Sequence, residues 1–417
     1  MIEAYLAHEA ERAAQGIPAL PLSPEQTTEL CKLLEAPPAG KEEFLLNLLK
    51  NRVSPGVDPA AKVKAEFLAG ILNGSKKSPL VSKVDAVRIL GTMMGGYNVN
   101  PLVDALKDAE LADEAACALS GMTLVYDGFD QVVALSSSNA AAKKVLTSWA
   151  NAEWFTSKPG VPETIKVKVF KVEGEINTDD FSPAGDAWSR PDIPLHALAM
   201  GKTRFPNRLK DIADWRAAGN QVAFVGDVVG TGSSRKSACN SVLWHMGQDI
   251  PCVPNKKTAG VIIGGVIAPI FFNTAQDSGA LPIKADVTKM NDGDVITINT
   301  VKGEITNAAG EVISTFKLAP NTIADEFRAG GRIPLIIGRA VTEKARKALG
   351  MGDTDVFTLP VNPVAKADQG YSLAQKMVGK ACGVAGILPG TACEPKMTTV
   401  GSQDTTGPMT ADELKEL

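Results

Sequence analysis

The sequence is short of the groups that announce a metal-binding or nucleic-acid-binding protein. Among 417 residues there are 3 histidines and 6 cysteines. The cysteines, Cys31, Cys117, Cys239, Cys252, Cys382 and Cys393, form no C-x-x-C pair, and no histidine stands at zinc-ligand spacing. The familiar zinc patterns are therefore excluded, and scattered thiols of this kind are expected to be reduced, packed side chains. A net charge of −4 leaves no global basic field for nucleic acid. The longest apolar run, Gly260 to Phe272, is too short to cross a bilayer and is interrupted by Pro269. The start, MIEAYLAHEAERAA, brings acids where a secretion signal needs an apolar core. These absences point to a cytoplasmic protein. Its 44% hydrophobic and 22% charged residues are those of a globular chain, and its length asks for two or three domains.

What is present centres on QVAFVGDVVGTGSSRKSACNSVLWHMG, Gln221 to Gly247. Gln221 to Val229 is apolar and β-branched, the pattern of a strand covered on both faces. Gly226, Gly230 and Gly232 interrupt it and open backbone conformations closed to larger residues. Ser233, Ser234, Arg235 and Lys236 follow, and then helical spacing through Ala238, Val242 and Leu243. A helix start carries unpaired N–H groups and the positive end of the macrodipole, which suits a carboxylate or phosphate. A serine that merely caps the helix fits the spacing equally well. A Walker A loop does not fit, because that motif needs a glycine directly before the lysine, and Lys236 follows Arg235. A Rossmann fold does not fit either, for want of a G-x-G-x-x-G opening a βαβ unit.

Residues 1–160 read as helical throughout. Ser23-Pro24-Glu25-Gln26 is a capping box with proline at the first helical position, and the helix it starts stops near Pro37-Pro38. Glu42 to Leu49 places Phe44, Leu45, Leu48 and Leu49 on one face. Asp58-Pro59 starts a helix that buries Val63, Phe67, Leu68 and Ile71. Further helices are expected around 83–92, 101–108, 111–119 and 139–155. Short amphipathic helices joined by short loops suggest a HEAT-like stack. Gly95-Gly96-Tyr97-Asn98 reads as a plain turn with exposed polar groups.

The pattern changes at Ser157-Lys158-Pro159-Gly160. Alternation begins at Ile165, Val167 and Val169. The stretch EINTDDFSPAGDAWSRPDIPLHALAM then reads as a loop in which Asp179, Asp180, Ser182 and Arg190 are concentrated. Later strands are expected at Gly260–Ile267, Ala280–Ile283, Val295–Ile298, Val312–Phe316 and Ile333–Ile337, with a helix over Asn321–Ala329. This part reads as a compact β/β/α domain. Leu359 to Gln369 has the composition of a linker, and a helix is expected near Ser372–Ala381. Thr410-Ala411-Asp412-Glu413 is a further capping box close to the end. A helix that short is an odd terminus, so the sequence is expected to be the N-terminal part of a longer protein.

Four stretches resemble aconitases and related hydro-lyases. GTGSSRKSA resembles the substrate loop of their swivelling domain. INTDDFSPA resembles the segment after the first strand of that domain, and IAPIFFNTAQDSGALPI the segment after the substrate helix. QDTTGPM resembles a substrate-binding segment at the start of the cluster-carrying domains. A swivel domain that follows a helical domain and precedes the cluster domains resembles the bacterial aconitase B type.

That resemblance implies a multidomain architecture: an all-α HEAT-like domain over 1–160, a swivel domain over 161–360, and over 361–417 a linker and the beginning of an α/β cluster domain. It implies interconversion of citrate and isocitrate through cis-aconitate. Ser233 matches the catalytic base. Ser234, Arg235 and Arg190 match binders of the substrate carboxylates, and Gln403, Asp404 and Thr405 match further substrate contacts. A serine alkoxide is stabilised by a helix N-terminus and nearby guanidinium groups, and an arginine fork suits a carboxylate. The Lewis acid of the family is a [4Fe–4S] cluster held by three cysteines; these are expected beyond Leu417, so no metal ligand and no activity are expected of this chain alone. The alternatives are a related hydro-lyase acting on 2-methylisocitrate, or a non-enzymatic module for homodimerisation or messenger-RNA binding. The helical domain argues against isopropylmalate as substrate.

Overall fold

The computed structural model describes residues 1–189, 192–232 and 236–399. The chain divides into two compact units, the first ending at Thr358 and the second beginning at Leu359.

The first unit opens with helices Ile2–Ala13 (α1), Pro24–Glu35 (α2), Glu42–Asn51 (α3), Pro59–Asn73 (α4), Lys83–Gly91 (α5), Val99–Ala105 (α6), Ala112–Ser120 (α7), Gly128–Leu135 (α8), Ala140–Ala150 (α9) and Glu153–Thr156 (α10). Their starts follow local chemistry. Ser23 accepts from Gln26 N while Gln26 accepts from Ser23 N, and Ser82 and Asp85 close α5 in the same reciprocal way. Asp58 accepts from Ala60 N ahead of Pro59. One face of each helix is apolar: Leu30 and Leu34 of α2, Leu45, Leu48 and Leu49 of α3, Leu68 of α4 and Trp149 of α9 share one core. The helix expected over 139–155 is divided at Ala152, whose φ of +54° ends helical continuity. The turn at Gly95–Asn98 differs from expectation, because Asn98 is fully buried and donates to Leu90 O at 2.7 Å. A buried amide in a turn must find a partner within the fold, and composition does not reveal that.

A mixed sheet follows. Its strands are Thr164–Asn177 (β1), Val222–Thr231 (β2), Val261–Ile267 (β5), Leu281–Lys284 (β6), Val295–Asn299 (β7), Glu304–Thr306 (β8) and Val312–Thr315 (β9), in the order β6-β5-β2-β1-β7-β8-β9. Gln248–Asp249 (β3) and Lys257–Thr258 (β4) pair separately. The β6-β5-β2-β1 half is parallel, and β7, β8 and β9 extend it antiparallel from β1. Central β2 carries the continuous apolar run of a strand covered on both faces, with Val222, Ala223, Phe224 and Val225 fully buried.

Two expectations are corrected here. The stretch read as a loop after β1 holds short helices Thr178–Phe181 (α11), Ala184–Ser189 (α12) and Ile193–Ala197 (α13), with Leu209–Ala217 (α14) before β2. Asn177 and Asp192 are N-caps, so the same polar residues and prolines that suggest a loop start these helices instead. The strand expected at Ile333–Ile337 is the first part of a helix. After β2 come Lys236–Met246 (α15), Pro269–Asp277 (α16), Ile323–Ala329 (α17) and Arg332–Ala348 (α18). The short apolar run Ile333–Ile337 has no readable period by itself. Leu335, Gly338, Val341, Thr342 and Ala345 give the buried face of α18 its helical spacing. Val341 and Ala345 join the helical core, and Trp154 donates from Nε1 to Thr342 Oγ1 at 3.0 Å.

The second unit contains Leu373–Ala381 (α19), capped reciprocally by Ser372 and Gln375. The capping box at Thr410–Glu413 lies outside the described residues.

Candidate active site at the carboxyl ends of the parallel strands

The parallel strands bring three carboxyl ends together. Asn177 of β1 is level with Thr231 of β2, and Val229 of β2 is level with Ile267 of β5. Each strand runs into a helix: α11 at Thr178, α15 at Lys236 and α16 at Pro269. Ala268 N donates to Val229 O at 2.9 Å, which holds the β5 exit against β2. Open α/β sheets bind ligands outside such strand ends.

Gly230 and Gly232 shape the turn. Gly230 has φ +78°, and a Cβ there would stand 2.2 Å from Cγ of Phe271. Both the backbone conformation and the space therefore require glycine. Phe271 is fixed in turn: its ring stacks on Phe181 with centroids 5.3 Å apart, and Phe181 meets Phe224 edge-on at 4.9 Å. Gly232 has φ +89°, and its open side faces Thr178, whose Oγ1 would lie 3.4 Å from a Cβ. Between them Thr231 donates its hydroxyl to Glu175 Oε1 at 2.7 Å.

Helix α15 follows in the chain, and among the described residues its first turn holds no acid to offset the positive end of its dipole. It is anchored through Ala238, Cys239, Val242, Leu243 and Met246. Burial pushes the Cys239 thiol up to about 12, which keeps it protonated. His245 hydrogen-bonds through Nε2 to Ala197 O at 2.8 Å, and burial pushes its pKa down to about 4. That bond ties α15 to α13, the helix that follows Arg190. Asp192, the N-cap of α13, is gripped by both terminal nitrogens of Arg12, at 3.0 and 2.5 Å.

Ser233, Ser234, Arg235, Arg190, Gln403, Asp404 and Thr405 lie outside the described residues. Their described neighbours are Gly232 and Lys236, then Ser189 and Asp192, and finally Thr399. Of the polar residues singled out between β1 and β2, Asp180 is committed to structure: its carboxylate accepts from Asn177 N at 2.9 Å. Ser182 is buried. Sequence reasoning missed Asn177, Phe271 and the Arg12–Asp192 pair. The Asn177-x-x-Asp180 spacing could have revealed the first; nothing in the sequence signals the other two.

Among the described residues no group of three or more His, Cys, Asp or Glu is placed to hold a metal ion.

Comparisons with known proteins are extensive. A family profile described as "Aconitate B N-terminal domain" matches residues 4–155, and one described as "Aconitate hydratase 2 N-terminus" matches residues 167–371. A protein of Synechocystis sp. named aconitate hydratase B is 61% identical over 419 residues, covering 100% of this chain and 48% of that protein. Its namesake in Escherichia coli is 58% identical over 429 residues, covering 100% of this chain and 50% of that protein. The chain thus spans about half the length of the curated relatives it matches. A solved 3-isopropylmalate dehydratase from Methanocaldococcus jannaschii matches at 20% identity with a TM-score of 0.33, over 44% of this chain and 99% of that one. With two N-terminal profiles in tandem and alignment of the whole of this chain to such relatives, the chain belongs to the aconitase B family of hydro-lyases and matches its N-terminal portion.

Proposed function

We propose that this chain supplies the proton-abstracting side of a hydro-lyase that interconverts citrate and isocitrate through cis-aconitate. The observation that supports the reading is the turn at Gly230 and Gly232, the first packed tightly on Phe271, at the carboxyl ends of parallel strands and ahead of α15 in the chain. In this reading Ser233 takes the proton from the carbon beside a substrate carboxylate. Ser234, Arg235 and Arg190 hold carboxylates by paired hydrogen bonds, and Gln403, Asp404 and Thr405 complete the cradle. The α15 dipole and the guanidinium groups favour the serine alkoxide. The [4Fe–4S] cluster of the full-length protein supplies the Lewis acid for hydroxyl departure. In this reading the domains are a HEAT-like region over 1–160, a swivel domain over 161–360, and over 361–417 a linker and the beginning of the cluster domain.

The test is Ser233→Ala in the full-length protein. Turnover of citrate and isocitrate should fall by about 10²–10⁴-fold, with the unfolding midpoint unchanged. A rate near wild type sinks the assignment of the base. The 417-residue chain by itself should give no turnover after treatment with iron and sulfide, and activity there would overturn the division of labour. Assaying 2-methylisocitrate in parallel decides between the two substrates.

A further inference from the structure

The second unit brings two cysteines together that the sequence keeps apart. Cys382 ends α19, with its backbone N–H donating to Val378 O at 3.1 Å and Gly379 O at 3.0 Å. The chain then doubles back. Val384 N donates to Gly379 O at 2.9 Å, and Ile387 N donates to Gln375 O at 3.1 Å. The fold-back is close enough that a Cβ on Gly379 would stand 2.5 Å from Gly386 Cα. Ala392 N donates to Asn362 Oδ1 at 2.8 Å, and Lys396 N donates to Ala381 O at 2.8 Å. These bonds pin the returning segment beside the end of the helix, and they bring the Cys382 and Cys393 side chains close enough to influence each other electrostatically. Both are free thiols, Cys393 exposed and Cys382 half-buried. Cys31 and Cys239, by contrast, are buried.

We propose that Cys382 and Cys393 form a thiol–disulfide exchange site that takes small soluble disulfides such as glutathione disulfide. Cys393 is the thiol such a molecule reaches. Its thiolate attacks one sulfur of the small disulfide, whose S–S bond breaks. One small thiolate leaves and takes up the proton Cys393 lost. Cys382, held on the neighbouring segment, then loses its proton and attacks the Cys393 sulfur of the mixed disulfide. The second small thiol leaves with that proton. The two cysteines are oxidised to an internal disulfide, and the small disulfide is reduced to two thiols. The loop so closed, Gly383 to Ala392, is already folded before the bond forms, so little chain entropy opposes the second step.

Trypsin leaves both residues in one peptide, ACGVAGILPGTACEPK, Ala381 to Lys396. The reduced protein is treated with glutathione disulfide under native conditions, alkylated, digested and weighed. The expected result is a peptide two hydrogens lighter than the dithiol, with neither cysteine alkylated. Cys117, exposed and remote in sequence, should carry a glutathione adduct under the same treatment. Cys382→Ser should leave a persistent glutathione adduct on Cys393, and Cys393→Ser should leave Cys382 free to be alkylated. The proposal is overturned if wild type shows both thiols alkylated while Cys117 has reacted. Separate adducts on both cysteines, or a Cys393-linked dimer, overturn it equally.

Discussion

The helical region and the sheet region are both held by apolar cores, yet four left-handed glycines of the first differ from the one at the strand ends of the second. Gly16, Gly40, Gly56 and Gly74 close turns or helix ends with nothing within 4 Å of where a Cβ would stand. Gly230 makes the same kind of turn hard against the Phe271 ring. A glycine in open space records only that the chain had to change direction. A glycine under an aromatic ring that is itself stacked and wedged records a backbone held in one place. Those four turns can therefore vary without consequence for the helical core, whereas Gly95, at φ +102°, is held like Gly230, since a Cβ there would stand 2.4 Å from Leu124 O. The sheet region has a turn at Gly230 whose position is set by its core.

The largest expected effect lies in the helical core, where packing is all that matters. Trp149 is fully buried, stacks on Phe129 at 5.7 Å between centroids and donates to Leu119 O at 3.0 Å. Trp149→Ala should cost about 3–5 kcal/mol of unfolding free energy in urea titrations followed by circular dichroism. Turnover of the full-length protein, assayed well below the transition, should be unchanged. A selective loss of turnover would break the comparison.

Next comes the glycine pair. Gly230→Ala meets both an unfavourable φ and the Phe271 ring, and should cost about 2–4 kcal/mol. Gly40→Ala, at φ +76° in open space, should cost about 1 kcal/mol. Equal losses would show that Phe271 gives way and that the turn is not positioned by it.

A third effect is confined to acid. Burial holds His245 neutral in the folded chain, with a pKa of about 4 against the ordinary histidine value of 6.5. The unfolded chain therefore binds a proton that the folded chain refuses as pH falls between those values. Stability is fully present above about 6.5 and declines toward 4, by up to about 1.4 kcal/mol per pH unit. His245→Gln keeps a hydrogen-bond donor for Ala197 O and removes the titration. The difference in stability between variant and wild type should thus shift in the variant's favour as pH drops through this window. A difference that stays constant with pH would mean that His245 is protonated equally in both states.

Much of this was legible in the sequence, and the exceptions share a cause. Ser23-x-x-Gln26 and Asp58-Pro59 announce α2 and α4 because capping is local, and β2 announces itself by an apolar run too continuous for a half-exposed strand. Ile333–Ile337 misleads because five apolar residues have no period until Val341 and Ala345 are counted with them. The Arg12–Asp192 grip and the contact of Phe271 with Gly230 join residues far apart in the chain, which no local pattern encodes. At the candidate site, the glycine turn and the helix after it were readable. The role of Ser233 came from resemblance, since the same residues could equally be a cap.

The smallest effect gives the comparison its sharpest form, because one device appears in both regions. Ser23 and Asn177 each cap a helix reciprocally: Gln26 N reaches Ser23 Oγ at 3.2 Å, and Asp180 N reaches Asn177 Oδ1 at 2.9 Å. Either residue replaced by alanine should cost about 1 kcal/mol. Their surroundings differ. Ser23 opens a helix whose apolar face joins the helical core, whereas Asn177 lies level with Thr231 and its Cβ would be 3.8 Å from a Cβ on Gly232. Loosening the Asn177 cap frees Thr178 beside the glycine turn, and displacement of binding groups weakens a reaction far more than it weakens a fold. In the full-length protein Asn177→Ala should lower kcat/KM about tenfold, Ser23→Ala should leave it unchanged, and Asn177→Asp should restore most of the loss. Equal stability losses with unequal turnover would locate function at the strand ends by a route independent of Ser233. Equal turnover would leave those ends a structural junction only.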